Sequence, residues 1–136
     1  MILCDASVMV AAINKGDIDH LRCLHAINPL QQRLISTQAC IAEAMHLLRN
    51  YTGWRGQESL INWIESDFLL VHHSTEAEDK RACALMREYA DAPMDYADAS
   101  LVATAEVLGI TGILTLDRHF FAYRINGKDS FQLSPD

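Results

Sequence analysis

Met1-Ile2-Leu3-Cys4-Asp5-Ala6-Ser7-Val8-Met9-Val10-Ala11-Ala12-Ile13 opens the chain, and the reading of this stretch decides the fold. Ile2 to Cys4 is a short continuous apolar run that stops at a carboxylate, Asp5. Val8 to Ile13 then has helical character until Asn14-Lys15-Gly16 interrupts it. An apolar run without alternation marks a strand buried on both faces, as in a parallel sheet covered by helices on either side. The pattern recurs: Arg33 to Thr37, Phe68 to Val71 and Ile110 to Leu116 read as three more strands, and Phe131 to Leu133 as a short edge strand. Helices are expected between them. One starts at Asp17 or Asp19 and carries Ile18, Leu21, Leu24 and Ile27 to Asn28-Pro29. Others run from Ala39 to Asn50, Gln57 to Glu65, Ala77 to Tyr89 after a Ser74-Thr75-Glu76 start, and Tyr96 to Leu108 before Gly109. The expected fold is α/β, one domain over residues 1–136, with a mostly parallel central sheet flanked by helices on both faces.

Composition narrows the function classes. The chain has 136 residues, half of them hydrophobic and 21% charged, enough apolar material for one packed core and too much for a disordered chain. No run of about 18 uncharged apolar residues occurs, and Asp5 falls before any signal-peptide apolar region forms. A cytoplasmic protein without a membrane span is expected. Eleven Lys and Arg against eighteen Asp and Glu give a formal charge of −7, which excludes a protein that coats nucleic acid with a basic surface. It leaves open a nucleic-acid substrate met through a metal held by carboxylates. Cys4, Cys23, Cys40 and Cys83 are far apart, with no Cys-x-x-Cys or zinc spacing, and are expected as reduced, half-buried core residues.

In parallel sheets functional groups collect at the carboxyl ends of the strands, and four acids fall there. Asp5 follows the first strand and Asp117 the fourth. Glu43 lies early in the helix after the second strand, between Ala42 and Ala44, and Asp98 lies in the first turns of the helix before the fourth. Singly, each reads as a cap or turn residue. Together they would repel one another, so their convergence calls for a divalent cation, Mg²⁺ or Mn²⁺ being the hard ions that take carboxylate and water oxygens. Such an ion can orient and deprotonate a water for attack on a phosphodiester. Asp95, one turn before Asp98, stands evenly between complementing the helix N-terminus and supporting the metal from outside its ligand shell.

Asp5-Ala6-Ser7, Glu43, the run Met94-Asp95-Tyr96-Ala97-Asp98-Ala99-Ser100-Leu101-Val102-Ala103-Thr104-Ala105, and Leu114-Thr115-Leu116-Asp117-Arg118-His119-Phe120 resemble the PIN-domain family, and within it the VapC-type toxin ribonucleases. The resemblance spans nearly the whole chain. It implies an acidic quartet of Asp5, Glu43, Asp98 and Asp117, with Asp5 and Asp98 foremost as direct metal ligands, Asp117 joining them at the metal, and Glu43 orienting the attacking water or completing the coordination. It also implies Mg²⁺- or Mn²⁺-dependent endonucleolytic cleavage of RNA, a cognate antitoxin and a homodimer. The family places a hydroxyl near the metal, so Ser7 (as a helix cap) and Thr115 (as an outer hydrogen bonder) take supporting roles.

Other polar and aromatic residues carry weaker signals. Arg118 and Lys15 read as solvated or phosphate-contacting, and His119 as loop packing or surface. His72-His73 points to opposite faces of a strand, which disfavours joint chelation. Tyr51, Trp54 and Trp63 read as core or partner packing rather than base stacking. Two rival functions remain. One is a phosphatase with Asp5 as nucleophile, disfavoured by Ser rather than Asp at position 7; the other is a non-catalytic PIN-like binding module.

Overall fold

The computed structural model describes residues 1–136. Three apolar residues form β1 (Ile2–Cys4), the central strand of a five-stranded sheet. β1 pairs in parallel with β2 (Leu34–Thr37), which pairs in parallel with β3 (Leu69–His72), and on its other side β1 pairs in parallel with β4 (Gly112–Leu114). A separate antiparallel hairpin follows, β5 (Arg124–Ile125) with β6 (Asp129–Ser130), turning through Asn126 and Gly127 at φ of +53° and +69°. β7 (Gln132–Ser134) then closes the sheet in parallel beside β4, giving the order β3-β2-β1-β4-β7. Leu3, Cys4, Ile113 and Leu114 are fully buried at its centre, as continuous apolar runs require.

Six helices make the crossovers: α1 (Ala6–Ile13), α2 (His20–Ile27), α3 (Gln38–Thr52), α4 (Trp54–Glu65), α5 (Glu76–Glu88) and α6 (Tyr96–Leu108). The connections through α1–α2 and α3–α4 step one way along the sheet, and the one through α5–α6 steps back past β1. Right-handed crossovers therefore place α1–α4 on one face and α5–α6 on the other. The reversal also makes a switch point between β1 and β4, where the chain leaves neighbouring strands in opposite directions and opens a crevice at their carboxyl ends.

Several expectations about elements need correction. α1 starts at Ala6, because Asp5 is its N-cap and accepts the Ala6 N–H at 2.8 Å; Ser7 lies inside the helix and caps nothing. Neither Asp17 nor Asp19 caps α2 with its side chain: Asp19 holds the N-cap position but its carboxylate pairs with Arg22 instead of a helix N–H, and Asp17 accepts the Asp19 N–H. Of the expected α2 stripe, Ile18 is 98% and Leu21 65% exposed, and Cys23 and Ile27 are the buried positions. The reason is geometric: three-residue steps fall about 60° short of a turn each time, so Ile18 and Ile27 would lie on opposite sides of one helix. α4 begins at Trp54 rather than Gln57, β4 is shorter than the run Ile110 to Leu116, and the β5–β6 hairpin adds strands beyond those expected. Cys4, Cys23 and Cys40 are buried, but Cys83 is exposed, since the buried stripe of α5 runs through Glu78, Ala82 and Leu85.

Candidate metal centre

The crevice at the switch point is built from chain segments far apart in sequence. Asp5 ends β1 and is 5% exposed. Its Oδ1 accepts the Ala6 N–H, and its Oδ2 accepts the Ser7 hydroxyl at 3.1 Å and the Thr115 hydroxyl at 2.7 Å. Thr115 in turn accepts the Asp117 N–H at 2.9 Å, and Ser7 accepts the Leu116 N–H at 3.0 Å. These five bonds staple the end of β1 to the segment leaving β4, so Asp5 and Asp117 cannot move independently.

Asp98 comes from α6, whose first turn is closed by a capping box. Asp95 is the N-cap and accepts the Asp98 N–H at 2.8 Å, while Asp98 Oδ2 accepts the Asp95 N–H at 3.2 Å. Asp95 therefore does act as the helix cap. Each of the two carboxylates spends one oxygen on the box and keeps the other. Pro93, Asp95, Asp98, Asp117 and His119 line a shallow depression of about 420 Å³. Glu43 projects from the second turn of α3 and is exposed. It stands too deep in that helix for the N-terminal dipole to assist it.

Electrostatics show how closely the acids are grouped. Burial, then the charge of Asp95, then those of Asp5 and Asp117 push the Asp98 carboxyl up to about 8, against the backbone bond from Asp95 that lowers it. Burial raises Asp5 too, outweighing its three hydrogen bonds, and Asp117 adds to the rise. Glu43 is raised by burial and then by Asp95, Asp5 and Asp117. The acids thus feel one another as a cluster. No group of three or more His, Cys, Asp or Glu side chains converges as a ready-made cage. A hard cation that keeps several waters needs only one or two carboxylates, and like charges forced up by proximity are the environment such a cation relieves. In donor type and charge, these residues fit Mg²⁺ or Mn²⁺.

Two further residues hold this site. His119, expected as loop packing or surface, is exposed, and its Nδ1 also lies 2.7 Å from Asp117 Oδ1, which accepts the His119 backbone N–H at 2.9 Å. Its spacing two residues after an Asp in a tight turn was the available signal. Tyr123 donates its hydroxyl to the Pro93 carbonyl at 2.7 Å and packs edge-on against Phe120 and Tyr89, tying the segment after Asp117 to the segment before Asp95. Other expected contacts lie apart: Lys15 is exposed, and the Arg118 guanidinium sits 4.6 Å from the Phe121 ring centroid. Tyr51 and Trp54 are exposed, and Trp63 packs edge-on against Phe68.

A family model described as PIN domain matches residues 2–126. The chain belongs to the PIN domain family. Among curated proteins, this PIN domain is similar to Ribonuclease VapC26 of Mycobacterium tuberculosis, at 25% identity over 98% of this chain and 100% of the relative. Among solved structures, it is similar to Mycobacterium tuberculosis VapC20, a sarcin-ricin loop cleaving toxin, with a TM-score of 0.78 and 19% identity over 83% of this chain and 87% of that one. A toxin-antitoxin complex from Klebsiella pneumoniae aligns with a TM-score of 0.67 and 16% identity over 88% and 90% of the two chains. The all-parallel PIN sheet with helices on both faces is the fold these similarities share.

Proposed function

We propose that this PIN domain is a metal-dependent endoribonuclease, the toxin of a type II toxin-antitoxin pair, working in the cytoplasm as a homodimer that a cognate antitoxin holds inactive. The observation that carries the reading is that Asp95, Asp98 and Asp117 line one depression at the β1–β4 switch point, where Asp98 is raised by burial and then by the charges of Asp95, Asp5 and Asp117. The full-length similarity to a protein named ribonuclease supports it. Asp5, Asp98 and Asp117 would hold Mg²⁺ or Mn²⁺. When bound, such an ion supplies charge for the phosphodiester oxygens and lowers the pKa of an attacking water.

The chain's own residues supply position. Thr115 and Ser7 fix the Asp5 carboxylate, and His119 engages one oxygen of Asp117 and leaves the other free. Glu43, exposed on the second turn of α3, orients the water that attacks phosphorus and accepts its proton, or completes the coordination. Asp95 holds Asp98 through the α6 capping box. RNA meets an acidic protein here, so binding depends on the cation rather than on a basic surface.

The test is cleavage of a mixed structured and single-stranded RNA pool with Mg²⁺, Mn²⁺ or EDTA, comparing wild type with Asp5→Asn. Cleavage that vanishes with EDTA and in the variant supports the assignment. A folded, partner-free protein that cuts nothing under any metal condition favours the non-catalytic binding module.

A further inference from the structure

A second cavity opens along the same carboxyl edge of the sheet. It has a volume of about 390 Å³, and its walls include Thr37 and Gln38 where β2 passes into α3, His72 at the end of β3, Glu78 on α5, and Tyr96 and Ser100 on α6. The metal centre sits above β1 and β4, and this cavity above β2 and β3. At about 4.8 Å between neighbouring strands, the two are roughly 10 Å apart. Only the first turn of α6 separates them: Asp95 and Asp98 line the depression, while Tyr96 and Ser100, four residues apart and so on one face, line the cavity.

The lining selects a ligand class. No Lys or Arg lines the cavity, and the carboxylates of Glu78 and Asp79 do, so a phosphate is repelled and a neutral group rich in N–H donors is favoured. The walls are pre-set. His72 Nε2 lies 2.6 Å from Glu78 Oε1, Glu78 Oε2 accepts the Thr75 N–H at 2.7 Å, and the Thr37 and Ser100 hydroxyls pair at 2.7 Å. Two groups at the rim remain presented to solvent: the exposed amide of Gln38, which can both donate and accept, and the Tyr96 ring, 42% exposed. An amide beside an aromatic ring is the equipment that reads and stacks an unpaired base. We infer that this cavity is a nucleobase pocket, holding one base of a single RNA strand that crosses the N-terminus of α6 at most about three nucleotides from the cleaved bond, since the stacked-helix spacing of about 3.4 Å per nucleotide is the shortest rise and a splayed strand covers more. The inference rests on the ribonuclease reading and deepens it: the pocket would set sequence preference at one position.

The test uses a randomised 12-nucleotide RNA cut by the full chain, with ends mapped for wild type, Gln38→Ala and Tyr96→Ala. A base preference at one position within three nucleotides of the cut is expected in wild type. Gln38→Ala should relax it by roughly 5- to 100-fold, the discrimination of one bidentate base contact, while cleavage of the non-preferred sequences stays unchanged. A preference that survives both substitutions, or no preference at all, overturns the pocket. A second readout needs no cleavage. In EDTA, amide NMR shifts at Gln38 and Ser100 are followed with each nucleoside 5′-monophosphate, with ribose 5-phosphate and with ethylguanidinium. Shifts with a nucleotide but not with ribose 5-phosphate support the pocket even if the chain proves not to cut RNA. Shifts with ethylguanidinium alone overturn it in favour of a cationic side chain from a protein partner.

Discussion

Burial and the neighbouring charges of Asp95, Asp5 and Asp117 push the Asp98 carboxyl far above the ordinary aspartate range. Its carboxyl stands at about 8 in the folded, metal-free chain, against about 3.9 when unfolded. Between those values the native state binds more protons than the unfolded one, so this residue's contribution to stability falls as pH rises from about 4 to about 8. Asp98→Asn removes that dependence: the metal-free variant should melt above wild type at pH 8 and close to it at pH 4, measured by thermal scans. Glu78 behaves in the opposite sense. Burial raises it, but the bonds from His72 and Thr75 outweigh that and leave it lowered, so its contribution is present above about 4.3 and is lost as pH falls further.

His119 makes a second residue-scale prediction. An asparagine at 119 can still donate to Asp117 Oδ1 and an alanine cannot. Titration calorimetry with Mn²⁺ should show affinity falling about tenfold in His119→Ala and recovering in His119→Asn, as for outer partners of metal ligands. Equal affinities in all three proteins would remove His119 from the site.

At the scale of elements, the aromatic group behind the metal centre is the weak point. Phe120 is fully buried and meets Tyr123 and Phe131 edge-on, with ring centroids 5.0 and 5.5 Å away. Phe120→Ala should cost about 3–5 kcal/mol in denaturant unfolding and loosen the turn that carries Asp117. Gly56 is a second tight place: a Cβ there would overlap the Thr52 side chain and press on Leu48. Gly56→Ala should therefore destabilise by roughly 1–3 kcal/mol despite its better helix propensity.

The same comparison shows what was legible beforehand. Continuous apolar runs located β1 to β4 and their parallel pairing, and the α6 boundaries were marked by Asp95 and by Gly109, which takes the left-handed conformation at φ +67°. The candidate acids were picked out by their places, Asp5 and Asp117 after strands and Glu43 and Asp98 early in helices. What escaped was decided by contacts between distant segments. The β5–β6 hairpin has two residues per strand, too few to show periodicity, and the bonds of His119 and Tyr123 depend on how two loops meet. The outward turn of Ile18 and Leu21 was hidden because hydrophobic composition survives where helical phase does not.

For the whole molecule, a formal charge of −7 makes an unusual prediction for the proposed action on RNA. Few phosphates can be neutralised by side chains, so with about one or two such contacts log affinity for single-stranded RNA should fall with log salt at a slope near −1, at fixed Mg²⁺. Fluorescence anisotropy across a KCl series measures it. A slope of about −4 or steeper would point to a basic track that the fold does not present.

β1 is the first strand made, yet it lies in the middle of the sheet, and the carboxylate at its end is secured by Ser7 and Thr115, residues separated by almost the length of the chain. Asp5 has neither its β4 neighbour nor the Thr115 hydroxyl unless residues 112 to 117 are in place. The acidic cluster therefore does not exist in any fragment that lacks them. The site is all-or-none: a cut anywhere between β1 and β4 that lets the two pieces part separates the carboxylate from the hydroxyl that fixes it, and takes the proposed chemistry with it.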